Sequence, residues 1–199
     1  MPREIEFLYD FSSPNAYLVH RAIPAYAGRV AFRFVPVLLG GVFKATGNQS
    51  PMQAYGHVAA KRDYDMLEIR RFIARHGIAG FAMNPHFPVN TLLMMRGAVA
   101  AESLGCAEAY IEAMFAGMWE QGLKLDDPEV WAATVSAAGL DAAALGAAAS
   151  DPEIKGRLVA NTEAAVARGV FGIPSFFLGD ELWFGKDRLR DVVEAAEAG

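Results

Sequence analysis

The run IEFLYDFSSPNAYL, Ile5 to Leu18, decides the fold. Its first five residues, IEFLY, are dense in the aliphatic and aromatic side chains that suit a buried strand. Beyond them the pattern changes, and Leu18, Ile23 and Tyr26 continue a helix-like run. Ser13-Pro14 stands at the join. A serine hydroxyl can accept backbone N–H groups that a helix leaves unpaired at its start, and a proline at the first helical position gives up no hydrogen bond. Ser12 competes for the same capping role. A strand that feeds directly into a serine-led helix N-terminus places a positive dipole end where an anion can be held.

Working outward, the next apolar run is VAFRFVPVLL, Val30 to Leu39, again suited to a buried parallel strand. The helix between spans roughly residues 14 to 27, close to the minimum for a right-handed crossover, so the chain opens β-α-β. From Gly40 its character changes. GGVFKATGNQSP reads as a loop, and helical spacing then predicts helices over Pro51 to His76, Pro88 to Leu104, Ala107 to Gln121, Pro128 to Ala138, Asp141 to Ala148 and Pro152 to Arg168. Gly77, Gly105, Gly122, Gly139 and Gly169 punctuate them as C-terminal caps should. The first style returns in GVFGIPSFFLGDELWF, with short strands over Ser175 to Leu178 and Glu181 to Phe184 joined by Gly179-Asp180, a hairpin signal. A helix from Asp187 to Ala198 closes the chain. The reading is an α/β domain of residues 1–39 and 169–199, split by a helical insertion of residues 40–168.

The 199 residues, 53% of them hydrophobic, are enough for a substantial core in one domain or one domain with a large insertion. A net charge of -5 gives no basic footprint, so nucleic acid and anionic membranes are not expected partners. The first ten residues carry charge where a signal peptide needs its apolar core, and no window supplies the roughly 18 uninterrupted apolar residues of a membrane span. A cytoplasmic location is expected. Cys106 is the only cysteine, which excludes an internal disulfide and any multi-cysteine metal site. Its default role is packing as a small apolar side chain. No histidine pair at ligand spacing points to a metal.

The order β-α-β, helices, β-β-α resembles the thioredoxin fold. Redox members of that fold carry C-P-x-C between the first strand and its helix; here the tetrapeptide is Ser13-Pro14-Asn15-Ala16, and dithiol chemistry is removed. What remains is a helix N-terminus suited to a thiolate brought from outside. Lowering a thiol pKa from about 8.5 to about 6.5 asks for about 2.7 kcal/mol, within reach of one or two charge-assisted hydrogen bonds and a helix dipole. Ile173-Pro174 precedes a strand, where the fold usually holds a cis proline facing the first motif.

Four stretches, FLYDFSSPNAYL, FVPVLLGGVFKATGN, NPHFPVNTL and GVFGIPSFFLGDELWFGKDRL, together resemble the kappa-class glutathione transferases and, within that group, the bacterial 2-hydroxychromene-2-carboxylate isomerases. The resemblance implies that Ser13 holds the glutathione sulfur and that Ile173 and Pro174 grip its cysteinyl backbone. It also implies that Asn48 contacts the tripeptide and that Lys186 and Asp187 meet its glutamyl end. Asp187 is open to a second reading, as the N-cap of the last helix. Phe11, Phe43 and Trp183 are candidates for an apolar wall against an aromatic substrate, Lys44 for its carboxylate, and His57, Lys61 and His86 for proton donors or anion clamps. Each of these has an ordinary alternative in core packing or solvation. The implied activity is a glutathione-dependent cis-trans isomerase acting on a small aromatic molecule, in a homodimer. A conjugating transferase or a non-catalytic glutathione- or peptide-binding module would use the same site.

Overall fold

The computed structural model describes residues 3–198; residues 1, 2 and 199, the outermost of the expected split domain, lie outside it. The first strand, β1 (Glu4–Tyr9), is followed by α1 (Pro14–Ala22) and β2 (Ala31–Pro36). The helix expected to reach residue 27 tightens at Ile23–Tyr26 into a 3-10 turn, because Pro24 brings no N–H to continue the α-helical ladder. β1 and β2 pair in parallel, with Phe7 opposite Phe34. At the other end of the chain β3 (Ser175–Leu178) pairs antiparallel with both β1 and β4 (Glu181–Phe184), giving a four-stranded sheet in the order β2-β1-β3-β4. The 3-10 turn Lys186–Arg188 and α10 (Leu189–Ala198) complete that end.

Between the two halves of the sheet run α2 (Leu39–Thr46), α3 (Pro51–Tyr55), α4 (Ala59–His76), α5 (Leu92–Ser103), α6 (Ala107–Trp119), α7 (Pro128–Ala137), α8 (Ala142–Ser150) and α9 (Pro152–Ala167). The core is strongly aromatic on one face of β1, where Phe7, Tyr9, Phe34 and Phe176 stack edge and face with Phe115 of α6 and His20 of α1. Such pairs add to the burial energy of large rings. On the other face Arg168 lies over Phe177, 3.4 Å from the ring centroid, and pairs with Glu6.

Three expectations are corrected. The stretch GGVFKATGNQSP is not a loop: its first part forms α2. Its glycines argued against a helix, but tertiary contacts decide. Gly41 sits where a Cβ would meet Thr162 Cγ2 of α9 at 3.0 Å, so the missing side chain lets α2 approach α9 closely. Gly47, at φ 68°, then ends the helix. The single helix expected over Pro51 to His76 is two, α3 and α4, interrupted at Gly56–Val58. The helix expected from Pro88 starts only at Leu92. The segment before it is pinned elsewhere, by Asn84 Nδ2 donating to the carbonyls of Met118 and Leu123.

Candidate functional site

Ser13 is the N-cap of α1. Its backbone is extended, and its hydroxyl oxygen accepts the Ala16 N–H at 3.2 Å. The same hydroxyl donates to the carbonyl of Ile173 at 3.1 Å, across 160 residues of sequence, and Ser13 is only 4% exposed. One oxygen thus both caps α1 and reaches across to Ile173. Pro14 brings no N–H and the Tyr17 N–H closes the first turn on the Ser13 carbonyl, so Asn15 has the N–H that the helix leaves open. No acidic side chain stands in that turn, and the buried Asn15 Oδ1 has no hydrogen-bond partner. The Ile173-Pro174 peptide bond is cis, as expected, and Phe87-Pro88 is cis as well.

Ser12 does not cap the helix. Its N–H and hydroxyl both donate to Asp10 Oδ1 at 2.8 Å. Asp10 is fully buried and also accepts the Thr91 hydroxyl on Oδ1 at 2.8 Å and the Leu39 N–H on Oδ2 at 2.7 Å. Burial pushes its carboxyl above the usual range, and the hydrogen bonds from Ser12, Leu39 and Thr91 pull the other way. These contacts join the end of β1 to the starts of α2 and α5. Leu38 N–H, next to Leu39, is taken by Thr162 Oγ1 at 3.0 Å, which ties α2 to α9 as well. Just beyond α2, the exposed Asn48 turns its Nδ2 to the carbonyl of Phe171 at 2.8 Å, two residues before Ile173. Phe171 and Phe184 are both 43% exposed and pack with centroids 4.5 Å apart. Gly172 makes room for this pair, since a Cβ there would lie 2.8 Å from the Phe184 ring.

Lys186 and Asp187 reach the same neighbourhood because the Gly185 N–H donates to the Pro174 carbonyl at 2.9 Å. Asp187 is not an N-cap. The 3-10 turn starts one residue earlier, at Lys186, and Asp187 Oδ1 instead accepts from Lys186 Nζ at 2.7 Å. Lys186 is 4% exposed, with its ammonium 5.2 Å from the Phe72 ring centroid. A buried ammonium needs such partners to offset lost hydration. Asp187 keeps an open side in a shallow cleft with Tyr26, Phe72, Arg75, His76, Leu189 and Arg190.

Ser13, Asn48, Ile173, Pro174, Lys186 and Asp187 are therefore joined by short hydrogen-bonded links. The remaining candidates are not. Phe11 is fully buried between Tyr9, Tyr110 and Phe115, and its carbonyl accepts Trp119 Nε1 at 2.9 Å. It is core, the alternative open to it in the sequence, and the candidate substrate wall is corrected there. Phe43 and Trp183 are half-buried. Lys44 is exposed on α2, and no ion pair reaches it among the described residues. His57 and His86 are exposed, and Lys61 is paired with Asp65 beside the Tyr55 ring. Cys106, half-buried at the start of α6, packs against the core. The residue that sequence reasoning missed is Asp10. Its signal was a carboxylate closing an apolar strand, three residues before the serine.

No helix among the described residues is long and apolar enough to cross a membrane, and no group of three metal-ligating side chains gathers there. Comparison with known proteins gives a consistent picture. The DSBA-like thioredoxin domain matches residues 4–197. The 2-hydroxychromene-2-carboxylate isomerase of Pseudomonas sp. (strain C18) is 31% identical over 93% of this chain and 86% of its own length. Human glutathione S-transferase kappa 1 is 25% identical over 96% of this chain and 89% of its own. The solved structure of a 2-hydroxychromene-2-carboxylate isomerase superposes with a TM-score of 0.83 at 29% identity, covering 96% of this chain and 93% of that one.

Proposed function

The chain belongs to the DSBA-like thioredoxin family, on its 2-hydroxychromene-2-carboxylate isomerase branch, and from that premise we propose that it is a glutathione-dependent isomerase. The substrate is 2-hydroxychromene-2-carboxylate or a related small aromatic acid, and the product the trans form, trans-o-hydroxybenzylidenepyruvate. The observation that carries the reading is the Ser13 hydroxyl, capping α1 and donating to Ile173, where redox relatives have a cysteine.

The residues present fit glutathione. Asn15 offers a buried oxygen without a donor and, as the helix start requires, a free N–H. The Ser13 proton now given to Ile173 can turn to a sulfur by rotation about one bond, while the oxygen keeps its cap on Ala16. When bound, glutathione supplies a thiolate that adds reversibly to the substrate double bond and makes it rotatable. Ser13 and the positive end of α1 stabilise that negative charge. Ile173 and Pro174 hold the cysteinyl backbone, Asn48 orients the tripeptide from the side of α2, and Asp187 pairs with its α-ammonium while Lys186 holds Asp187 in place. Lys44 is the candidate for the substrate carboxylate. The protein works as a homodimer in the cytoplasm.

The test is a calorimetric titration with reduced glutathione in two buffers of different ionisation enthalpy, which counts protons. Release of close to one proton per site is expected. Absence of binding would refute the reading. Sustained turnover with glutathione present only in catalytic amount separates isomerisation from irreversible conjugation of the kappa-transferase kind.

A further inference from the structure

We infer that Asp10 is a positioning residue: its buried carboxylate sets the Ser13 end of α1 against α2, and so fixes Asn48 relative to the thiol site. The inference rests on the glutathione reading above. Asp10 is compensated by four donors rather than by a cation. Three of them fall on Oδ1 and one, the Leu39 N–H that opens α2, falls alone on Oδ2. A closed circuit of contacts follows. The Ser13 N–H donates to the Asp10 carbonyl at 3.1 Å; Asp10 Oδ2 holds the start of α2; Asn48 beyond its end holds the Phe171 carbonyl; and Ile173, two residues on, accepts the Ser13 hydroxyl. Ser13, Asn48 and Ile173 lie on this circuit, and Pro174 adjoins it at Ile173. Asp10 is where its two ends meet.

The chemistry requires a carboxylate there. An amide has one acceptor oxygen and one donor group, so an asparagine turns its NH2 toward either the Leu39 N–H or the Ser12 N–H, donor against donor. Asp10→Asn therefore releases α2 or the loop before Ser13 while removing almost no volume. Leu39→Pro cuts the same link from the other side. Leu39 is the first residue of α2, where proline is accepted, and Leu38 (φ -88°, ψ 107°) already has the extended backbone that precedes a proline. Thr91→Val is the control: it removes a buried hydrogen bond from Oδ1 at the start of α5 and leaves the α2 link intact.

The experiment titrates parent, Asp10→Asn, Leu39→Pro and Thr91→Val with reduced glutathione in the two buffers, alongside urea unfolding of each. Asp10→Asn and Leu39→Pro are expected to bind at least about tenfold more weakly and to release less than the parent's proton, the size expected from losing one hydrogen bond to a buried charge. Thr91→Val is expected to lose stability yet keep its affinity within about twofold and its proton release unchanged. Parent-like binding by both first variants overturns the inference. So does an affinity loss in Thr91→Val that tracks its stability as theirs do. If Asp10→Asn does not fold, Leu39→Pro decides. A parent that binds no glutathione refutes the functional reading itself, and the positioning role with it.

Discussion

The seam between Ser13 and Ile173 and the arm formed by α3 and the first half of α4 make an instructive pair. Both drew attention in the sequence, the seam through Ser13, Asn48, Ile173 and Pro174, the arm through His57 and Lys61. In the seam the polar groups answer one another across more than a hundred residues of chain, and Asp10 and Ser13 are buried. In the arm α3 buries no residue, and of α4 only Ile69 and Phe72 are buried. Met52, Tyr55, Val58 and Tyr64 are exposed there. Reactive residue types occur in both regions; opposed, ordered contacts occur in one. A hydrogen bond away from water is electrostatically stronger and costly to leave unmade, so chemistry can be set up in the seam with few groups.

The contrast is sharpened most by Ser13→Ala. Loss of one charge-assisted hydrogen bond to the thiolate is expected to slow isomerisation by about ten- to a hundredfold, with thiol ionisation reduced more than glutathione affinity. Steady-state rates with the pH dependence of the bound thiolate's ultraviolet absorbance check both. If the variant ionises glutathione as readily as the parent, the seam loses its assigned centre.

Thr162→Val comes next. It leaves the Leu38 N–H without its acceptor in the wall of the seam, at an expected cost of about 1–2 kcal/mol read from urea unfolding. A neutral result would mean that α2 does not depend on its tie to α9.

A smaller effect is expected of the surface network of His20, Arg21 and Glu112. The hydrogen bond from His20, then that from Arg21, lowers the Glu112 carboxyl from 4.5 to about 2. A carboxyl depressed in the folded state stabilises above its unfolded pKa. Stability should therefore be fully present above pH 4.5 and this part of it lost as pH falls from there toward about 2. Urea midpoints against pH should fall less steeply in Glu112→Gln. Because the Glu112 side chain is half exposed, solvent keeps the difference small.

Lys61→Ala should do least. The pair it forms with Asp65 is exposed at both ends, so stability should stay within about 0.5 kcal/mol and the isomerisation rate within about twofold. A larger loss of rate would place the arm in the site and erase the contrast.

The strands and the Ser13-Pro14 helix start were legible because their signals are local: apolar runs, a cap, a proline, a Gly-Asp turn. β3 and β4 fall on the residues the pattern predicts. α2 was not legible, because paired glycines disfavour a helix locally and only packing shows that one of them admits α9. Asp10 was hidden for a related reason. Its partners Ser12, Leu39 and Thr91 come from three separate parts of the chain, and only one is a sequence neighbour. Phe11, a candidate for the substrate wall with core packing as its alternative, carried no mark in the sequence to separate a lining aromatic from a core one.

By itself, then, the sequence determined where the strands and the Ser13-Pro14 helix start fall, that no disulfide can close within this chain, and that a hydroxyl stands at the start of α1 where redox members of the fold have a thiol. Those follow from side-chain identity and short-range backbone preference. Tertiary structure alone decided that one oxygen of Ser13 both caps its helix and meets Ile173, that Lys186 is buried against Asp187, and that a single carboxylate joins β1, α2 and α5. The physical reason is that a buried polar group is defined by its partners, and these partners become neighbours only when distant segments pack.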